Sequence, residues 1–180
     1  MIKYFKFLIL IFCLGNLARS SYASNFDARI AIVDIQFIFE NSVAIQSIRK
    51  EIERKSQEMQ EDMTKKEAEL KETGEILVKK RDSLKEEDFN IEVNSFNAKV
   101  SETQADMQNK KTLLQQADAK AVGKVYEKII EIVTDLSKKK NFDLVIPTAQ
   151  ILFANDNFNI TTEVVTELNN KLKSVKVTYK

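Results

Sequence analysis

The chain has no histidine, one cysteine, one proline and three glycines in 180 residues. Each scarcity removes a class of chemistry. The single cysteine, Cys13, lies inside an N-terminal apolar run, so nothing beyond that run carries a thiol. Disulfide frameworks, thiol nucleophiles, zinc sites built on cysteine or histidine, and histidine-based triads are excluded there. Beyond the same run only Gly74 and Gly123 remain, too few for a glycine-rich phosphate loop. Charge excess is missing as well: 28 basic residues face 27 acidic ones, a net +1. A strong nucleic-acid binder would be clearly basic, so no nucleic-acid partner is expected.

What is present begins with a secretory signal. Lys3 and Lys6 form a short basic region, Phe7 to Leu17 is apolar apart from Gly15 and Asn16, and Ser21-Tyr22-Ala23 supplies small residues for a peptidase. Such a run is too short to span a bilayer, which takes about 20 residues. Phe12, standing before Cys13, argues against lipidation, which needs a small residue there. Cleavage after about Ala23 removes Lys3, Lys6 and Arg19 and leaves 25 basic against 27 acidic residues. An exported domain of this size without disulfides has to bury apolar surface another way, and oligomerisation is the obvious route.

The centre of the chain is one long polar stretch. From Val43 to Lys140 there are 98 residues with no proline, two glycines and 40 charges, 20 of each sign. Short apolar, β-branched segments flank it. Arg29–Asp34 reads as a buried strand, and Ile35–Glu40 turns helical on the spacing of Ile35, Ile38 and Phe39. Within the stretch, Ile45, Ile48 and Ile52 open an apolar stripe that thins to Met59, Met63, Leu70 and Leu77. Acid-first pairs four residues apart support this first arm: Glu51/Lys55, Glu61/Lys65, Asp62/Lys66, Glu67/Lys71 and Glu75/Lys79. The expected break is at Lys80–Ser83. Ser83-Leu-Lys-Glu86 matches a capping box, and Glu86, Glu87 and Asp88 would sit at the positive end of the next helix dipole.

The second arm carries a clearer period, with Phe96 followed by Val100, Met107, Leu114 and Ala121 at heptad spacing. Folding at Ser83 pairs about 40 residues of each arm into a hairpin roughly 60 Å long, with Val43 opposite Val125. From Val125 to Leu136 the helix becomes densely apolar and returns to the body. Phe142, Leu144 and Ile146 then alternate as in a half-buried strand, and Gln150–Ala154 reads as another short strand. Asn155-Asp-Asn is turn chemistry. Thr161 is expected to cap a last helix carrying Val164, Val165, Leu168 and Leu172, and the tail Ser174–Lys180 to fray. The fold class is α+β and mostly α: a small β-rich body with a long antiparallel α-helical hairpin inserted between strand 1 and strand 2. The domains run 1–23 (signal peptide), 24–42 (body, first part), 43–124 (hairpin) and 125–180 (body, second part).

Ile30-Ala-Ile-Val-Asp34, Phe39, the charged hairpin, Asn141-Phe-Asp-Leu-Val-Ile146, Ile151-Leu-Phe153 and Asn159-Ile-Thr161 together resemble the Skp (OmpH) family of periplasmic chaperones. The most specific part is the block from Phe142 to Leu168. The resemblance implies a homotrimer whose strands form a central trimerisation body. Three hairpins would project from it as tentacles and hold unfolded outer-membrane proteins in a cavity, without ATP. It also implies a membrane or lipopolysaccharide contact, here weak because the hairpin is neutral where family members are often basic. No lipopolysaccharide-binding residue carries over. A further departure is Val43, which stands where the family often has proline.

Candidate residues follow from both readings. In the arms, Met59, Met63, Leu70, Leu77, Phe89, Phe96, Val100, Met107 and Leu114 are the apolar positions available to a client chain, and the same positions are available to fill the seam between the helices. In the body, Ile30, Ile32, Phe142, Leu144, Ile146, Ile151 and Phe153 are core or trimer interface. Acidic pairs such as Glu61/Asp62 and Glu86/Glu87 sit among lysines with no apolar pocket to tune them, so they read as a solvated face rather than as catalysts. The runs Lys79-Lys-Arg81, Lys110-Lys111 and Lys138–Lys140 are matched by nearby acids. No catalytic residue, metal or cofactor is expected. The leading functional expectation is a holdase chaperone of the periplasm. The alternative is a structural coiled-coil spacer or adaptor of the cell envelope.

Overall fold

The computed structural model describes residues 27–179, so the expected signal peptide lies outside the described residues. Strand β1 (Ile30–Val33) stops at Asp34, whose carboxylate accepts the Phe37 N–H at 2.9 Å and caps helix α1 (Ile35–Asn41). Ser42 repeats the device for α2 (Val43–Lys80), its hydroxyl accepting the Ile45 N–H at 3.3 Å. A second long helix, α3 (Glu86–Lys140), runs 55 residues without interruption. It ends at Asn141, the one non-glycine residue among those described with a positive φ, at 57°. Asparagine tolerates that left-handed turn, and Phe142 N–H closes it on the Ser137 carbonyl at 2.9 Å.

The turn delivers β2 (Leu144–Pro147) parallel to β1, with Ile30 beside Leu144 and Ile32 beside Ile146. Parallel neighbours need a long crossover, and here the hairpin itself is the crossover. Arg29 and Asp143 fasten the start of the pair through two hydrogen bonds of 2.8 Å. Two short 3₁₀ turns follow, Thr148–Gln150 and Asp156–Phe158. Helix α4 (Thr161–Lys171) then packs on α1 and α3. The core lies where these meet: Ala31, Val33, Ile38, Ile48, Val125, Ile129, Val164 and Leu168 are all at most 3 % exposed.

Several expectations are corrected. Ser83 does not cap α3: its hydroxyl donates back to the Lys80 carbonyl at 3.0 Å, and Lys85 stands at the N-cap without a side-chain bond. Glu86, Glu87 and Asp88 do occupy the first turn, so the dipole compensation holds where the capping box does not. Gln150–Ala154 is not a strand. Thr148–Gln150 is a 3₁₀ turn and residues 151–154 form no ladder; β1 is flanked by β2 and by the Ile32–Asn159 bridge. Thr161 does not cap α4 either. Its hydroxyl accepts the Asp34 N–H at 2.8 Å, while Asn159 accepts the Thr161 N–H at 2.9 Å. Of the acid-first pairs in the first arm, only Asp62/Lys66 closes, at 3.8 Å; Glu51 turns to Arg54 and Lys55 to Glu58. Exposed ion pairs exchange partners at little cost, which is why the spacing rule fails here. The tail is not frayed: Val175 and Val177 pack against the core cluster.

Candidate functional site

The hairpin has two kinds of apolar surface. The first is the seam. Met59, Met63, Leu70, Phe89, Phe96, Val100 and Met107 are half-buried, and Leu77 and Leu114 are buried. The thin stripe thus meets its counterpart across the hairpin, and none of these nine side chains stands free in solvent. Gly74 makes room for one of them. The Phe96 Cζ lies 3.4 Å from where a β-carbon on residue 74 would sit.

A ring of charges closes the middle of the seam. Lys66 reaches Asp106 at 2.8 Å, while Lys110 reaches Asp62 at 2.9 Å and Asp106 at 3.1 Å. The hydrogen bond from Lys110 holds the Asp62 carboxyl below its ordinary range, and Lys66, then Lys110, do the same to Asp106. Conversely, Asp62 and then Asp106 push the Lys110 ammonium upward. Lys80 meets Glu92 at 2.9 Å nearer the tip. These cross-arm pairs share one register, which sets Val43 against Ile129, about one helical turn from the Val125 expected.

The second apolar surface was missed from sequence. Val78 is 73 % exposed, Ile91 63 % and Ile76 46 %, all near the tip. Ile76 and Val78 flank Leu77 directly, and neighbours on a helix point about 100° apart, so they cannot share its seam. That offset was the available signal. Tyr126 and Ile130 lie in the segment expected to return into the body, yet each stays 46 % exposed on the outer side of α3.

The body has an unpartnered face of its own. Ala31, Val33 and Val145 point towards the helices, which leaves Ile30, Ile32, Leu144 and Ile146 on the other side of the two-stranded sheet. Ile32 is buried, Ile30 and Ile146 are half-buried, and Leu144 is half-exposed. The alternation expected for Phe142, Leu144 and Ile146 therefore holds at Phe142, which reaches the core, and is inverted within β2, where Val145 reaches it and Leu144 does not. Beyond β2, Ile151 is half-buried, while Leu152 and Phe153 project almost entirely into solvent. Among the described residues no group of three or more acidic side chains could hold a metal ion, and no helix is long and apolar enough to cross a membrane.

A family profile for outer membrane proteins of the OmpH-like kind matches residues 29–168. Among solved structures, a Caulobacter crescentus protein assigned as an OmpH-like outer membrane chaperone superposes with a TM-score of 0.78. The two are 15 % identical, and the match covers 85 % of this chain and 90 % of that one. At that identity the likeness speaks to the fold alone. No curated protein sequence matches. With the profile spanning the strands, both arms and most of the last helix, the chain belongs to the OmpH-like (Skp) family.

Proposed function

We propose that this chain is an ATP-independent holdase of the periplasm. It would bind unfolded outer-membrane proteins between its hairpins and keep them from aggregating before insertion. The observation that carries this reading is exposed apolar surface without an enclosed site: Ile76, Val78 and Ile91 stand out from a long, charge-balanced hairpin. Each such side chain offers little area, and at about 25 cal/mol per Å² each contact is weak. Several weak contacts around one cavity add up through effective concentration, so a client is held without sequence specificity and released without an energy source. The seam residues, Met59 to Leu114, add client contacts when the arms part. Family membership supports the chaperone role.

Three copies complete the cavity. Ile30, Ile32, Leu144, Ile146, Ile151 and Phe153 form the interface on the bare side of each sheet, with residues 43–124 projecting as the tentacle. The neutral hairpin gives lipids and lipopolysaccharide at most a weak hold. The test is to dilute a urea-unfolded outer-membrane barrel protein into buffer with the mature chain. Light scattering should stay low, and a complex of one client with three copies should be found by mass. Unchanged aggregation with no such complex would reject the reading and leave an envelope spacer as its successor.

A further inference from the structure

We propose that Met63 and Met107 form an oxidation-sensitive clasp at the middle of the hairpin, and that converting their thioethers to sulfoxides parts the arms there and strengthens the hold on a client. The last step rests on the holdase reading; the modification and the parting of the arms do not.

The two arms carry the same short motif, Asp-Met-x-x-Lys: Asp62-Met-Thr-Lys-Lys66 in α2 and Asp106-Met-Gln-Asn-Lys110 in α3. The antiparallel arms set the two copies against each other about a local two-fold axis. Lys66 reaches Asp106 at 2.8 Å and Lys110 reaches Asp62 at 2.9 Å. Each lysine also meets the aspartate of its own motif, at 3.8 Å in α2 and 3.1 Å in α3. In this register Thr64 stands opposite Gln108 at the centre, and each methionine is one residue from that level, about 1.5 Å along the helix axis. Each methionine precedes its lysine by three residues, so thioether and ammonium are neighbours on the helix surface.

The seam is thinnest at this level. The buried side chains of α2 stop at Ile48 and resume at Leu77, and those of α3 begin at Leu114. Met63 and Met107 are half-buried, so each adds apolar contact and still shows an edge to solvent. A cleft between the arms, lined by Lys66, Leu70, Lys99, Thr103 and Asp106, opens beside the ring and admits small solutes. Beyond the apolar N-terminal run, Met59, Met63 and Met107 hold the only sulfur atoms of the chain. With no thiol there to consume a peroxide, the thioethers are the groups it oxidises.

The oxidant is hydrogen peroxide. The thioether sulfur attacks one peroxide oxygen, an S–O bond forms and the O–O bond breaks. The departing hydroxide takes the proton left on the transferred oxygen and leaves as water. Sulfur loses two electrons and the peroxide gains them. The sulfoxide is polar, and its oxygen accepts hydrogen bonds. Three residues before Lys66 and Lys110, that oxygen competes with Asp106 and Asp62 for the two ammonium groups, while the seam loses apolar contact. Both effects oppose pairing at one point, and parting there uncovers Leu70, Val100 and Leu114. Methionine sulfoxide reductases, one for each epimer, reverse the change.

The test treats the full mature chain with hydrogen peroxide, follows each methionine by peptide mass, and reads arm pairing from amide exchange of residues 59–70 and 100–114. Met63 and Met107 should each gain one oxygen. Exchange in both stretches should rise about tenfold, while the core around Val125 and Val164 stays protected. Both reductases with dithiothreitol should restore the original rates. Met63→Leu/Met107→Leu keeps apolar volume without sulfur, so its arms should stay paired in peroxide. Met63→Gln/Met107→Gln should part them with no oxidant; if it fails to fold, the leucine chain with and without peroxide decides. The unfolded barrel protein should bind the oxidised chain about fivefold more tightly. Methionines that resist peroxide in the folded chain, sulfoxides without faster exchange, equal opening of the leucine chain, or parted arms with unchanged client affinity would overturn the proposal. Parted arms in a chain that protects the barrel protein neither before nor after treatment would keep the clasp and reject the holdase. Protection of the barrel protein by a chain whose arms stay paired in peroxide would do the reverse.

Discussion

Asp62 and Lys110 are 48 residues apart in sequence and meet at 2.9 Å across the hairpin. Asp106 and Lys66 answer them from the opposite arms at 2.8 Å, so each helix supplies one or more partners of either sign. The cross-arm contacts, with Lys80 and Glu92 nearer the tip, agree on one register of the two helices.

The pH dependence of that register follows from the signs. Depressed carboxyls at Asp62 and Asp106 stabilise the paired arms above the unfolded aspartate range, near 4, and the contribution is lost as pH falls through their lower folded values. Lys110 contributes fully below its ordinary 10.5 and loses its hold only as pH rises through a higher folded value. Arm pairing should thus be flat from about pH 5 to 10 and loosen below about 4. Amide-exchange protection around Met63 and Met107 reports it. Lys110→Met should flatten the acid limb, and an unchanged limb would count against the ring.

Val78→Lys and Ile91→Lys separate client grip from folding. Both side chains are mostly exposed, so the melting temperature should move by less than about 2 °C. If a client covers them, each loss of about 1 kcal/mol weakens the complex roughly fivefold. Titration of the unfolded barrel protein against each variant measures this, and unaltered affinity would remove the tip from the binding surface.

The bare side of the sheet makes a different prediction. Leu144→Asp with Phe153→Asp alters two side chains that are exposed in the single chain, so circular dichroism should stay helical. If three copies associate through this face, as proposed, sedimentation should show the mass fall from three copies to one. A trimer that survives both changes would place the interface elsewhere.

Gly123 lies inside α3, and a β-carbon added there would meet nothing within 4 Å. Glycine in a helix interior costs about 0.5–1 kcal/mol relative to alanine. Gly123→Ala should therefore stabilise the chain by that amount in urea unfolding. A loss of stability would mean that the residue is bent in solution.

The large divisions of the chain were legible because each rests on a local signal. The β-branched run at Ile30–Val33 marked a strand, the lack of proline marked the arms, and heptad spacing from Phe96 to Leu114 marked the seam. Features that failed depend on competition between partners. Ser83 had a carbonyl at Lys80 nearer to hand than an amide of the next helix, and Thr161 was claimed by Asp34 across the fold. The short strand expected at Gln150–Ala154 had the right composition, but Gln150 closes a 3₁₀ turn from Thr148 and the residues after it join no ladder. At the candidate site, periodicity found the apolar residues facing the other arm. Isolated apolar residues such as Val78 and Ile91 escaped, because a side chain off the stripe has no period to reveal it.

The two arms are joined to the body in unlike ways. The first arm starts afresh after Asn41, at the Ser42 cap, with Ala44, Ile45 and Ile48 of its first turns in the core, whereas the second is the continuation of a helix embedded in that core from Ala121 to Leu136. In mechanical language both limbs are clamped, the second over the longer root, so sideways load on the tip is taken up as bending in the free spans beyond Ile52 and before Ala121.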